Sequence, residues 1–476
     1  MKNPFAIFFL IAILFSCKEK PQPATVLKDT SPISITEAKE TAVIYEANIR
    51  QYSPEGTFQA FTKDLPVLKE LGVKVLWVMP INPISEVKRK ATGDTFTSDI
   101  EDEEERKKYL GSYYSVSDYK AVNPEFGTLE DFKELVDTAH KNGILVIVDW
   151  VPNHTGWDHP WITAHPEYYT KNDQGEIIDP LNPDTGESWG WTDVADLNYD
   201  NMEMRKEMIN DMKFWVEEAN IDGFRMDVAH QVPPAFFKEA IAKMEKIKPL
   251  FMLAEAEQPE LLQNGFDMQY GWEVHHIFNE IAKGTKNVSD FDEYMVKTSA
   301  TLKDGGINMN FITNHDENSW SGTLEERMPD SKEIFTALTY LMPGMPLIYS
   351  GQEYDMNHQL KFFEKDSIPK TKGAYFDLLV RLGALKNNNG ALNSSEELST
   401  YQRINTSEDA SILAFSRENK EDKVIFIGNF SDTAIKFSLP LSEKYQDYLY
   451  SSDLEFEGTA NLDLAPWEYY ILIAKP

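Results

Sequence analysis

From residue 43 to residue 353 the chain alternates between two apolar patterns. Short, nearly continuous apolar runs recur at 43–50, 73–81, 144–151, 222–230, 249–257, 267–271, 307–316 and 345–353. Such runs suit parallel strands covered on both faces. Between them apolar residues fall at helical spacing. Phe58, Phe61, Leu65, Leu68 and Leu71 precede Gly72, and Phe132, Leu135, Val136 and Ala139 follow a capping-box pattern at Thr128 and Asp131. Eight strands separated by helices predict an α/β fold, a (β/α)8 TIM barrel, over residues 42–386. Periodicity stops between Gly156 and Asn198, where Trp157, Trp161, Trp189 and Trp191 stand. This predicts a short loop-rich excursion after the third strand, within 152–200, lying over the barrel mouth. Past the NNNG stretch at 387–390, strand candidates at 412–417, 424–429, 435–439 and 469–474 predict a C-terminal all-β sandwich domain at 390–476.

Composition narrows the partners. The 476 residues carry 46 basic and 78 acidic side chains, a net charge of −32. That argues against nucleic acid and anionic membrane surfaces, which require basic patches. A neutral substrate is compatible with it, and the 12% aromatic content can serve sugar stacking as well as a core. At the N-terminus Lys2 precedes an apolar run, 5–15, too short to cross a bilayer and laid out as a secretory signal. The sequence Leu14-Phe15-Ser16-Cys17 resembles a bacterial lipobox, and Cys17 is the only cysteine. We therefore expect a lipoprotein signal peptide at 1–16, lipidation at Cys17, and a polar, proline-bearing tether at 17–41. The implied location is exported and lipid-anchored to a bacterial membrane, expected to be the outer one, on its periplasmic or cell-surface face. The lipid anchor would be the only membrane contact.

The active site of such a barrel lies at the C-terminal ends of its strands. Polar residues gathered there are Asp149 and His154 after the third strand, and Arg225 and Asp227 on the fourth. Glu255 or Glu257 ends the fifth, and His315 and Asp316 end the seventh. Arg225 and Asp227 share a strand face, and an arginine beside a carboxylate lowers its pKa. Acids from three strands converging on one mouth divide acid and nucleophile roles or hold a metal. Glycoside hydrolysis is the leading reaction that needs two carboxylates beside sugar-reading side chains.

Several short stretches then resemble, in order, those of the α-amylase family, glycoside hydrolase family thirteen. They are DWVPNH at 149–154, VADLN at 194–198, GFRMD at 223–227, Ala254-Glu255, FITNHD at 311–316 and GMPLIYSGQE at 344–353, with Tyr114–Tyr119 fitting as well. The resemblance runs from about residue 43 to the end. It implies Asp227 as nucleophile kept ionised by Arg225, Glu255 as proton donor, and Asp316 as the acid that grips and distorts the sugar. It also implies that His154 and His315 hydrogen-bond that sugar and that Tyr114 stacks under it, while Asp149 braces the mouth. The chemistry requires no cofactor. Asn153 and Asp196 are candidate oxygen ligands for a structural calcium ion. The family's Lys-His pair after the nucleophile is replaced by His230 and Gln231, and its Gly-Glu pair reads Ala254-Glu255.

The expected activity is retaining hydrolysis of α-1,4-glucosidic bonds in starch-type glucans, maltodextrins or cyclodextrins. The alternatives are an α-glucosidase or α-glucan transglycosylase on short oligosaccharides, a non-catalytic glycan-binding lipoprotein, and a metal-dependent hydrolase using the His and Asp strand ends.

Overall fold

The computed structural model describes residues 33–302, 305–395 and 399–474. Eight parallel strands close into a barrel: β1 (Val43–Ala47), β2 (Val73–Val78), β3 (Leu145–Trp150), β4 (Gly223–Met226), β5 (Phe251–Ala254), β6 (Met268–Tyr270), β7 (Ile307–Asn310) and β8 (Met345–Tyr349). All eight lie within the expected runs. The first is shorter than expected because Asn48 turns the chain: its side chain accepts the Gln51 N–H at 3.3 Å and starts the helix Ile49–Tyr52.

Strand parity explains both the core and the site. Alternate residues face the helices, and the others face the barrel axis. The inward set begins with Ile44, Val75, Leu145, Phe251, Met268, Ile307 and Met345, all buried. Toward the mouth some inward positions turn polar: Glu46 two residues past Ile44 on β1, Asp149 four past Leu145 on β3, and Arg225 two past Gly223 on β4. The apolar floor thus carries a buried charged layer. β4 enters this layer under tight constraint. A Cβ on Gly223, at φ 155°, would lie 1.8 Å from the Phe251 carbonyl oxygen, so only glycine lets β4 pair this closely with β5.

The stretch expected as tether up to residue 41 ends instead in a helix, α1 (Ile35–Thr41), capped by Ser34. Ala38 and Ala42 are buried against the floor cluster. Lys39 pairs with Asp267 at 3.1 Å and Lys74 reaches Thr41 at 2.8 Å, both at strand starts. α1 therefore plugs the end of the barrel opposite the mouth. Residues 1–32, with the expected signal, Cys17 and most of the tether, lie outside the described residues. Among those described, no helix is long and apolar enough to cross a membrane.

The helix Leu129–Lys141 buries Phe132, Leu135, Val136 and Ala139 and carries the expected Thr128–Asp131 capping box. Among the described residues the C-terminal domain is a sandwich of eight strands: β9 (Thr400–Arg403), β10 (Ile412–Glu418), β11 (Lys423–Asn429), β12 (Ile435–Leu439), β13 (Glu443–Asp447), β14 (Asp453–Phe456), β15 (Ala460–Leu464) and β16 (Tyr469–Ala474). Six form one sheet in the order β9-β10-β11-β16-β13-β14, and β12 pairs with β15. On β10, Ile412 and Ala414 face the sandwich core, while Leu413 and Phe415 join the main cluster against the barrel.

Candidate active site

One guanidinium organises the mouth. Arg225 is fully buried, and its Nη1 donates to Asp149 Oδ1 and to Asp227 Oδ1, each at 2.8 Å. Its Nε donates to the Tyr270 hydroxyl at 3.2 Å, and its Nη2 lies 3.0 Å from Glu255 Oε2. The last contact is an ion pair without hydrogen-bond alignment, since Nη2 has no hydrogen-bond partner. The ladder places the two outer acids: Asp227 N–H donates to the Trp150 carbonyl at 2.9 Å and Glu255 N–H to that of Met226 at 3.0 Å. Val228, next after Asp227, takes φ 45°, a left-handed conformation that β-branched residues avoid. The turn aims its N–H at Glu255 Oε2, 2.6 Å away.

A second chain of bonds enters from β7. His315 Nδ1 lies 2.5 Å from Glu46 Oε1, and its Nε2 lies 2.7 Å from the Tyr114 hydroxyl. That hydroxyl donates to Asp149 Oδ2 at 3.2 Å, and Trp77 Nε1 donates to the same oxygen at 3.1 Å. Asp149 is fully buried and saturated, so it braces the mouth as expected. Asp316 Oδ2 lies 3.4 Å from His315 Nε2, and its side chain is 37% exposed, open to a ligand.

The electrostatics differ from the simple expectation. Burial holds the Asp227 carboxyl well above the usual carboxylate range, and neighbouring Glu255 raises it further against the pull of Arg225. The depression expected from Arg225 fails because burial first, and then repulsion by Glu255, outweigh it. Burial pushes Asp149 up to about 6 and also raises Asp316 and Glu46. Burial alone would depress His315, but Asp316 and then Glu46 outweigh it and raise the imidazole to about 9. It is thus an imidazolium at neutral pH, donating from both nitrogens. His154 behaves oppositely, held near 3 by burial and so neutral. The raised carboxyls Asp149, Asp227 and Asp316 are close enough to titrate as a unit rather than singly.

Asp227, Glu255, Asp316, His315, His154 and Tyr114 line a single cavity of about 420 Å³. Glu257 does not line it. β5 ends at Ala254, so strand parity no longer applies there, and Glu257 instead accepts the Glu273 N–H at 2.7 Å, at the start of the helix Trp272–Ala282. The geometry separates two acids that the sequence leaves equivalent.

The sequence profile of the alpha amylase catalytic domain matches residues 28–424, and that of the alpha amylase C-terminal all-beta domain matches 404–466. The chain belongs to the alpha-amylase family. It is an enzyme, a glycosidase of the α-amylase type. Alpha-amylase 3 of Dictyoglomus thermophilum is 25% identical over 502 residues, spanning 91% of this chain and 93% of that protein. A maltogenic alpha-amylase from Thermotoga neapolitana superposes with a TM-score of 0.80 at 25% identity, covering 92% of this chain and 99% of its own. An alpha-amylase from Lactobacillus plantarum gives 0.77 at 27% identity, covering 92% and 100%.

The candidate calcium ligands of this amylase-family chain flank a short hairpin, His154–Gly156 against Val194–Asp196, whose register pairs His154 with Asp196. Asn153 Nδ2 lies 3.2 Å from His154 Nδ1, and the Asn153 carbonyl takes the Leu197 N–H at 3.1 Å. Burial pushes Asp196 up to about 6, opposed by a hydrogen bond to Thr170 and by no cation. Among the described residues no three His, Cys, Asp or Glu side chains gather as a metal cluster. One half-buried carboxylate beside amide oxygens suits a hard cation in donor type, and with Nδ2 donating the same asparagine braces His154. His230 is exposed on the turn Ala229–Gln231.

Sequence reasoning missed Glu46, the anchor of His315. Its signal was a lone carboxylate at an inward position of the apolar run VIYEA. It also missed Lys90, Asp94, Trp320, Phe362 and Phe363 on the cavity wall, which come from loops without periodicity.

Proposed function

We propose that the enzyme hydrolyses α-1,4-glucosidic bonds of starch-type glucans, maltodextrins or cyclodextrins with retention of configuration. Asp227 attacks the anomeric carbon as the glycosidic bond breaks, and Glu255 gives its proton to the leaving oxygen. Glu255, now a carboxylate, takes a proton from water, which displaces Asp227 from the covalent β-glycosyl intermediate. Asp316 holds hydroxyls of the reacting sugar, His154 donates to it, Tyr114 stacks against it, and His315, whose two N–H groups face Glu46 and Tyr114, borders it. The observation that carries this reading is one guanidinium touching both Asp227 and Glu255. Carboxyls bridged by one planar group are close enough for direct attack and leave little room for an intervening water.

Chromatography of products from amylose, cyclodextrin, pullulan, maltose and sucrose, with the first-formed anomer read by NMR, tests the proposal. We expect α-anomeric products from the α-1,4-linked glucans. Asp227→Asn should lower turnover on the order of 10⁴-fold or more while glucan binding persists. Inverted products or unchanged turnover would reject it.

Two further expectations belong to this proposal. Asp196 and Asn153 would hold a calcium ion of purely structural effect, so chelation should lower Tm. The mature chain would begin at an acylated Cys17, tethered to a bacterial membrane and released by detergent.

A further inference from the structure

A lone exposed aromatic ring is ordinary on a protein surface, but one that lines a cleft beside catalytic acids is placed to contact a ligand. Among the described residues two tryptophans are exposed, Trp320 at 59% and Trp189 at 40%, and of these Trp320 lines the cavity. Trp189 stacks on Trp191, a wall residue, with centroids 5.7 Å apart. Trp320 lines the cavity from the loop after β7, beside Phe362 and Phe363 from the loop after β8.

Trp320 is held rigidly. It sits in a π-helical turn, Glu317–Ser321, directly after Asp316. π-turns are rare and frequently occur at functional sites. Glu317 pins the turn from behind, 3.2 Å from His275 and 3.6 Å from Arg327. Asn318 ties it to the next loop, donating to the His358 carbonyl at 3.1 Å and accepting the Leu360 N–H at 2.9 Å. Phe362 backs the indole at 5.2 Å and a 44° tilt. An exposed ring fixed by its own loop and by the neighbouring one is a preorganised platform.

Its side of the site follows from the acids. Glu255, on β5, marks the leaving-group side, whereas Trp320 continues from Asp316, the acid assigned to the reacting sugar. We infer that Trp320, backed by Phe362, is a specificity-determining platform that stacks a glucosyl unit on the non-reducing side of the reacting sugar and so selects longer glycone chains. The inference rests on the α-glucan reading above.

The test uses α-maltooligosyl fluorides with glycones of one to five units and measures fluoride release, because fluoride leaves the aglycone side empty. In the native enzyme kcat/KM should rise with glycone length. Trp320→Ala should cut the ratio of long to short substrate by about tenfold, the scale of losing one aromatic hot spot. Trp320→Phe should restore most of that ratio, which separates stacking from misfolding. An unchanged ratio in Trp320→Ala, or an equal loss at every length, would overturn the inference. Fluoride release from no substrate by the native enzyme would instead overturn the functional reading, and the platform with it.

Discussion

Arg225 shows why a residue pair read from a sequence is not a site. The shared face of Arg225 and Asp227 was legible, because two positions on one strand must point together. What the guanidinium does was not, since Asp149 and Glu255 come from other strands and share its charge. The same holds for His315, whose protonation depends on neighbouring Asp316 and then on Glu46, 269 residues away. That dependence carries a prediction. An imidazole raised from about 6.5 to about 9 adds stability that is fully present below pH 6.5 and is lost as pH rises through 9. The full effect is ~3 kcal/mol, and removing Glu46 should forfeit part of it. Glu46→Gln should therefore be less stable than the native protein near pH 6.5, with the gap closing toward pH 9.5. Denaturant melts across that range check this, and a gap independent of pH would contradict it.

At the scale of elements, all eight barrel strands were visible because both of their faces are apolar, which leaves a continuous run in the sequence. Four sandwich strands, β9, β13, β14 and β15, were not, since their alternation places polar residues at many half-exposed positions. The excursion over the mouth was legible only as an interruption. Its first helix, Pro160–Ala164, begins at His159, whose Nδ1 accepts the Trp161 N–H at 3.2 Å. Burial holds that imidazole near 3, so it must be neutral to stay inside. A depressed pKa gives stability that is present above about 6.5 and is lost as pH falls below it, amounting to ~2 kcal/mol by pH 5. His159→Gln keeps an acceptor but cannot titrate. Between pH 7 and pH 5 the native protein should lose ~2 kcal/mol more than this variant, as measured by urea unfolding; parallel losses would contradict the assignment.

Across the whole molecule, the apolar floor and its plug α1 lie at one end of the barrel and the charged mouth at the other. α1 itself starts at the end of the barrel away from the cavity. An acylated Cys17 would therefore present the cleft to the medium, away from the lipid. Lipidated protein in vesicles should hydrolyse amylose as fast as a soluble Cys17→Ser form, with short maltodextrins as the control. A loss confined to the polymer would contradict this orientation.

The central claim is that Asp227 carries the covalent intermediate while Glu255 handles the proton. Turnover of 5-fluoro-α-D-glucosyl fluoride, followed by rapid denaturation, proteolysis and mass spectrometry, tests it most directly. The account predicts a glycosyl mass on the peptide containing Asp227 and none on that containing Glu255. A label on any other carboxylate, or steady turnover with no labelled peptide, would contradict it.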